Sequence, residues 1–188
     1  MVNIGFICEG DSDSFILKSE KFNSLLLDLK LNCVGVIDSG GNGNLLPRNI
    51  DKHRQNLIRD GAKIIFILTD LDEDQCITKT RIRIAKKDDN HVIIAVKQME
   101  SWFLADTITM KSILKGNFYW EYPERENVPF ETIRKIYLDK FSRGIVGKDE
   151  KKKLANKMIN TGFSIQNAAA HPNCPSALYF LNKLKSIN

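Results

Sequence analysis

The sequence predicts an α/β protein with a mainly parallel central sheet and helices on both faces. Three observations carry that expectation. Residues 64–68, Ile-Ile-Phe-Ile-Leu, form the short unbroken apolar run of a strand buried on both sides. Similar runs at 2–8, 33–37 and 91–96 alternate with segments of helical apolar spacing, which gives strand–helix–strand–helix–strand–helix–strand. The central run then stops abruptly in Thr69-Asp70-Leu71-Asp72-Glu73-Asp74, where four carboxylates fall within five residues. Such a group cannot enter a core unpaired, so it must lie at the strand's carboxyl end, where open α/β sheets place their ligands.

Taken in order, the first strand is followed by Glu9-Gly10-Asp11-Ser12-Asp13 and a helical pattern over 14–30, with Phe15, Phe22, Leu25, Leu26 and Leu29 on one face. Gly10 suits a tight turn, and Asp11 or Ser12 is expected to cap the helix. Glu9 sits at the strand end and caps nothing obvious. After the second strand, residues 38–44 form a glycine-rich turn without the spacing of either phosphate-binding glycine motif, and a plain flexible loop is expected. A helix over 46–60 carries Arg48, Lys52, His53, Arg54 and Arg59 on a basic side that reads as solvated, and Gly61 closes it. Residues 75–87 read as a basic helix with Ile77, Ile82 and Ile84 partly buried, and 88–90 as a turn.

The strand at 91–96 leads into Lys97-Gln98-Met99-Glu100, and Trp102, Phe103 and Leu104 anchor a short helix. Asp106 is read as the cap of the next helix before it is read as a ligand. Across 115–129 the pattern dissolves into Phe118, Tyr119, Trp120 and Tyr122 among charged residues, expected to be a packed surface loop. Helices follow over 130–141, 148–159 and 176–185, with a turn or two near 163–170. The run Lys148, Lys151, Lys152, Lys153 and Lys157 reads as a solvated face. One domain is expected over 1–188, a core of 1–114 with a helical extension of 115–188.

The chain is 43% hydrophobic and carries 28 Lys and Arg against 23 Asp and Glu, a net charge of +5. That mild basicity suits an anionic partner such as nucleic acid. No apolar run is long enough to span a bilayer, and no signal peptide is expected, so the protein is read as cytoplasmic with reduced thiols at Cys8, Cys33, Cys76 and Cys174.

Parallel strands deliver their carboxyl ends to one edge. Glu9, Asp70 and Glu100 are therefore expected to meet, with Asp13 and Asp72 close by. Clustered carboxylates repel unless a cation neutralises them, and an oxygen-only set favours Mg²⁺ or Mn²⁺. His171 and Cys174 have ligand-like spacing, but no second pair supports zinc. A carboxylate-bound divalent ion in a basic protein points to phosphoryl chemistry, with Lys97 available to stabilise developing negative charge.

These residues resemble the Toprim (topoisomerase–primase) domain. Glu9-Gly10-Asp11-Ser12-Asp13-Ser14-Phe15-Ile16-Leu17 is similar to the opening of the OLD-type nuclease Toprim. Thr69-Asp70-Leu71-Asp72, Glu100-Ser101-Trp102-Phe103-Leu104-Ala105-Asp106 and Cys174-Pro175-Ser176 resemble a family of small bacterial Toprim-like proteins. The resemblance implies a Rossmann-like Toprim fold and Mg²⁺-dependent nicking or cleavage of nucleic acid, DNA before RNA. It also implies a separate ATPase partner of SMC or ABC type and a setting in phage defence. In the resemblance, Ser101 replaces the commoner Ala, and Asp13 replaces a frequent Glu. Two other readings compete. One is a non-catalytic metal-binding module that recruits an ATPase. The other is a receiver-like domain with Asp70 as phosphoacceptor, which would want Ser or Thr after the fourth strand.

Overall fold

The computed structural model describes residues 1–72, 74–84, 90–142, 144–145 and 149–187. Four parallel strands, β1 (Val2–Cys8), β2 (Leu31–Asp38), β3 (Ile64–Asp70) and β4 (Asn90–Ala95), lie in the order β2-β1-β3-β4. The helices among the described residues are α1 (Asp11–Leu17), α2 (Glu20–Asp28), α3 (Pro47–Arg59), α4 (Ile77–Ile84), α5 (Glu100–Ala105), α6 (Thr107–Leu114), α7 (Pro129–Phe141), α8 (Glu150–Thr161), α9 (Ile165–Ala169) and α10 (Pro175–Lys185). This is a Rossmann-like α/β fold.

The unbroken apolar strands follow from a core on each face of the sheet. Side chains alternate along a strand. Ile4, Phe6, Phe66, Leu68, Ile93 and Ala95 face one core, and Ile7, Ile65, Ile67, Val92 and Ile94 face the other. The first core takes α1, α2 and the helices after β4. Phe180 of α10 lies 6.4 Å from Phe6, 6.0 Å from Phe66 and 5.8 Å from Trp102, ring centre to ring centre. The helical C-terminal part is thus packed on the sheet. The second core takes α3 through Ile50 and Leu57 and α4 through Ile84. Leu57 sits so close to β1 and β2 that a Cβ at Gly5 or Gly35 would come within 2.9 Å of it. Only glycine leaves α3 room there.

Several local expectations change. The helical pattern after β1 splits in two, because Ser19 accepts a hydrogen bond from the Phe22 amide and starts α2 afresh. Gly10, not Asp11 or Ser12, occupies the cap position of α1, with no side-chain cap bond. Ile82 is 73% exposed rather than partly buried, and the expected end of that helix and most of the following turn lie outside the described residues. Asn90 belongs to β4, not to the turn. Arg54 is buried, pairs with Asp51 at 3.0 Å and donates to Asn90 Oδ1 at 3.2 Å, so the basic side of α3 is not wholly solvated. The aromatic loop is packed: Tyr119 stacks on His171 at 5.1 Å, and Trp120 donates to Glu126.

Candidate active site

The order of the sheet turns back at β1, which has β2 on one side and β3 on the other. Crevices of this kind, beyond the carboxyl ends at a topological switch, are where open parallel sheets bind ligands. Glu9 leaves β1 at that point, and Asp70 ends β3 beside it. The glycine-rich loop fixes the first of these. The Ser39 amide donates to the Cys8 carbonyl at 2.9 Å and the Gly41 amide to the Glu9 carbonyl at 2.7 Å. The loop is an ordered clasp on the strand end, with Gly40 at φ +75° and Gly41 at φ +119° supplying the left-handed backbone that it needs.

Glu9, Asp13, Asp70 and Glu100 line one cavity of about 270 Å³, with Lys151 and Lys152 opposite them. Glu9 Oε2 accepts from the Thr69 hydroxyl at 2.8 Å and from the Asp70 amide at 3.3 Å. Asp70 Oδ1 accepts from the Met99 amide at 2.8 Å. Asp13 is buried on α1. Glu100 opens α5 and is 2% exposed, because Trp102, Phe103 and Leu104 bury that helix completely. Its Oε1 lies 3.7 Å from Lys151 Nζ, and its Oε2 is buried with no hydrogen-bond partner. Lys152 forms an ion pair with Asp11 at the rim.

Charge in this crevice is frustrated. Desolvation, then the charges of Glu100 and Glu9, push the Asp13 carboxyl up to about 7. Desolvation followed by Asp13, Glu100 and Glu9 holds Asp70 well above the usual carboxylate range. Desolvation also raises Glu100, with Lys151 acting against it. Burial pushes the neighbouring Cys8 thiol far up, which favours its protonated form.

Two predicted residues lie elsewhere. Asp72 has a left-handed backbone, φ +47°, and its amide donates to the Lys97 carbonyl at 2.9 Å. It lines a different cavity with Asp74, Arg83 and Gln98, yet is close enough to Glu100 to raise that carboxyl slightly. Asp74 accepts from Thr80 and pairs with Arg83 at 2.9 Å, a local structural role. Lys97 is not among the described residues lining the acidic cavity, where Lys151 and Lys152 stand. Asp106 is the cap of α6, as its position implied, and it is also fully buried. His171 Nδ1 accepts from the Asn173 amide and Cys174 is a buried free thiol.

Lys151 and Lys152, expected on a solvated face, line the acidic cavity instead. A faint signal existed: Lys151 stands three, four and seven residues before Leu154, Ala155 and Met158, on the line of the buried stripe of α8. Nothing in the spacing told which part of the sheet that stripe would cover.

The donor set suits a hard divalent cation in kind, being all carboxylate with one buried oxygen left unpartnered. Among the described residues, no group of three or more His, Cys, Asp or Glu side chains is placed to hold a metal ion as it stands. The fold and crevice define a parallel α/β protein with an acidic switch-point site overlooked by lysines. No family model, curated protein or solved structure matches the chain. Among the described residues, no helix is long and apolar enough to cross a membrane.

Proposed function

We propose that this protein is a Toprim-like, Mg²⁺- or Mn²⁺-dependent nuclease that nicks or cleaves phosphodiester bonds in nucleic acid, DNA first. The supporting observation is the convergence of Glu9, Asp13, Asp70 and Glu100 on one crevice, with Glu100 Oε2 buried and unpartnered. These four would hold the cation, with Asp72 at the margin. A divalent ion there would supply Lewis-acid stabilisation of phosphate charge and a more acidic water. The chain itself does the orienting. The Thr69 hydroxyl and Asp70 amide aim Glu9, and the Met99 amide aims Asp70. Lys151 and Lys152 present positive charge to a phosphodiester entering over the acids. On this reading a separate SMC- or ABC-like ATPase is the partner that delivers the substrate.

Supercoiled plasmid incubated with Mg²⁺ or Mn²⁺ tests this. Open-circle product is expected from the wild-type protein and a loss of at least about 100-fold from Glu9→Gln or Asp70→Asn, comparable to removing a main charge-stabilising group. Wild-type protein that binds Mn²⁺ and cuts neither DNA nor RNA sinks the nuclease and leaves the recruitment module.

A further inference from the structure

Helix α8 borders two cavities. Lys151 and Lys152 face the acids, but the next residue, Lys153, turns with Leu154 and Lys157 into a separate cavity of about 360 Å³. Tyr137 and Phe141 of α7 form another wall, and Lys115 at the end of α6 completes a basic rim. No carboxylate is among the described residues lining it. The two rings stand 5.6 Å apart at 54°. The Tyr137 hydroxyl is buried and has no hydrogen-bond partner, an unfavourable situation that an incoming acceptor would relieve. Burial also pushes this phenol up to about 12, so it remains a neutral hydroxyl able to donate.

Aromatic rings, a polar group awaiting a partner and a cationic rim are what an unstacked base with its phosphates requires. We propose that this cavity takes an unpaired nucleobase, with Lys115, Lys153 and Lys157 on the adjoining phosphates, so that the substrate is single-stranded nucleic acid or a duplex with an unpaired segment. The inference rests on the nuclease reading for its substrate class. An α-helix rises 1.5 Å per residue, so Lys151 and Lys157 stand about 9 Å apart along α8. That is about two to three nucleotides of a stacked strand. A strand lying along α8 would bring one phosphate to the acids while a neighbouring base enters the second cavity. A base paired within a duplex has no free face to offer.

Anisotropy of a labelled oligothymidylate and of a duplex of equal length, both in EDTA, tests this without cleavage. The single strand is expected to bind at least about tenfold tighter than the duplex. Lys153→Gln with Lys157→Gln should weaken strand binding about tenfold and flatten its salt dependence. Tyr137→Phe and Phe141→Leu, which keep most of the packing, should weaken it about threefold each, with unchanged far-ultraviolet circular dichroism. Equal affinity for strand and duplex, or wild-type affinity in all these variants, overturns the proposal. The two readings fail separately. Strand binding that depends on these residues without any cleavage supports the base cavity and removes the nuclease. Plasmid cleavage that proceeds unchanged in these variants removes the base cavity alone.

Discussion

Asp106 and Glu100 are both hidden from water but differently treated. Asp106 accepts from the Thr109 amide and hydroxyl, the Ser164 amide and the Asn167 side chain, at 2.8 to 3.3 Å. It ties the start of α6 to α9 and is fully buried. Glu100, six residues earlier, is as buried, yet one of its oxygens has no partner and the other has a lysine at 3.7 Å. A buried carboxylate surrounded by donors holds a structure together. A group of them short of donors is held in place by the structure around it, and is where a ligand's charge would be felt.

The contrast is broken most severely at Asp106. Asp106→Ala leaves several buried donors unpaired and should cost about 3–5 kcal/mol in urea unfolding, whereas Asp70→Asn in metal-free protein should be neutral or stabilising. Next in size is pH. The Asp13 carboxyl ionises near 3.8 when unfolded and near 7 when folded, so between those values the folded state holds more protons. Asp13 alone should therefore lower the stability of the metal-free protein as pH rises from about 4 to about 7, by at most about 4 kcal/mol, and Asp70 and Glu100, both raised, add to the fall in the same direction. Asp13→Asn should flatten that slope and be the more stable protein at pH 8, as thermal unfolding across pH would show. Mn²⁺ at about a hundredfold its dissociation constant should stabilise the wild type by about 2.7 kcal/mol. Calorimetric titration of Glu100→Gln and Asp13→Asn should show at least tenfold weaker binding. The smallest effect is at Lys151. Its side chain is nearly half exposed, so Lys151→Gln should change metal-free stability by less than about 1 kcal/mol.

The strands were legible because burial on both faces leaves an unbroken apolar signature at 64–68 and 91–96. From that followed the meeting of Glu9, Asp70 and Glu100, since parallel strands share one carboxyl edge. Asp106 was legible too, because capping is local chemistry. The break between α1 and α2 was hidden by a helical apolar pattern that continues across it, although Ser19 and Glu20 carried a start signal. Asp72 illustrates another limit. Two residues of spacing cannot say which way a left-handed turn will point a side chain. Lys151 and Lys152 depend on where α8 docks, a tertiary event fixed by the packing of Leu154, Ala155 and Met158, and no nearby residue announces it.

The α10 helix carries a consequence for how the molecule comes into being. Phe180 props Trp102, whose indole N–H also donates to the Ser176 hydroxyl at 2.7 Å, and Trp102 seats the short helix that begins at Glu100. Ribosomes release the acids of β1 and β3 long before the stretch through Leu184 emerges. A nascent chain thus carries its acids unassembled, and the crevice matures only when that late segment docks.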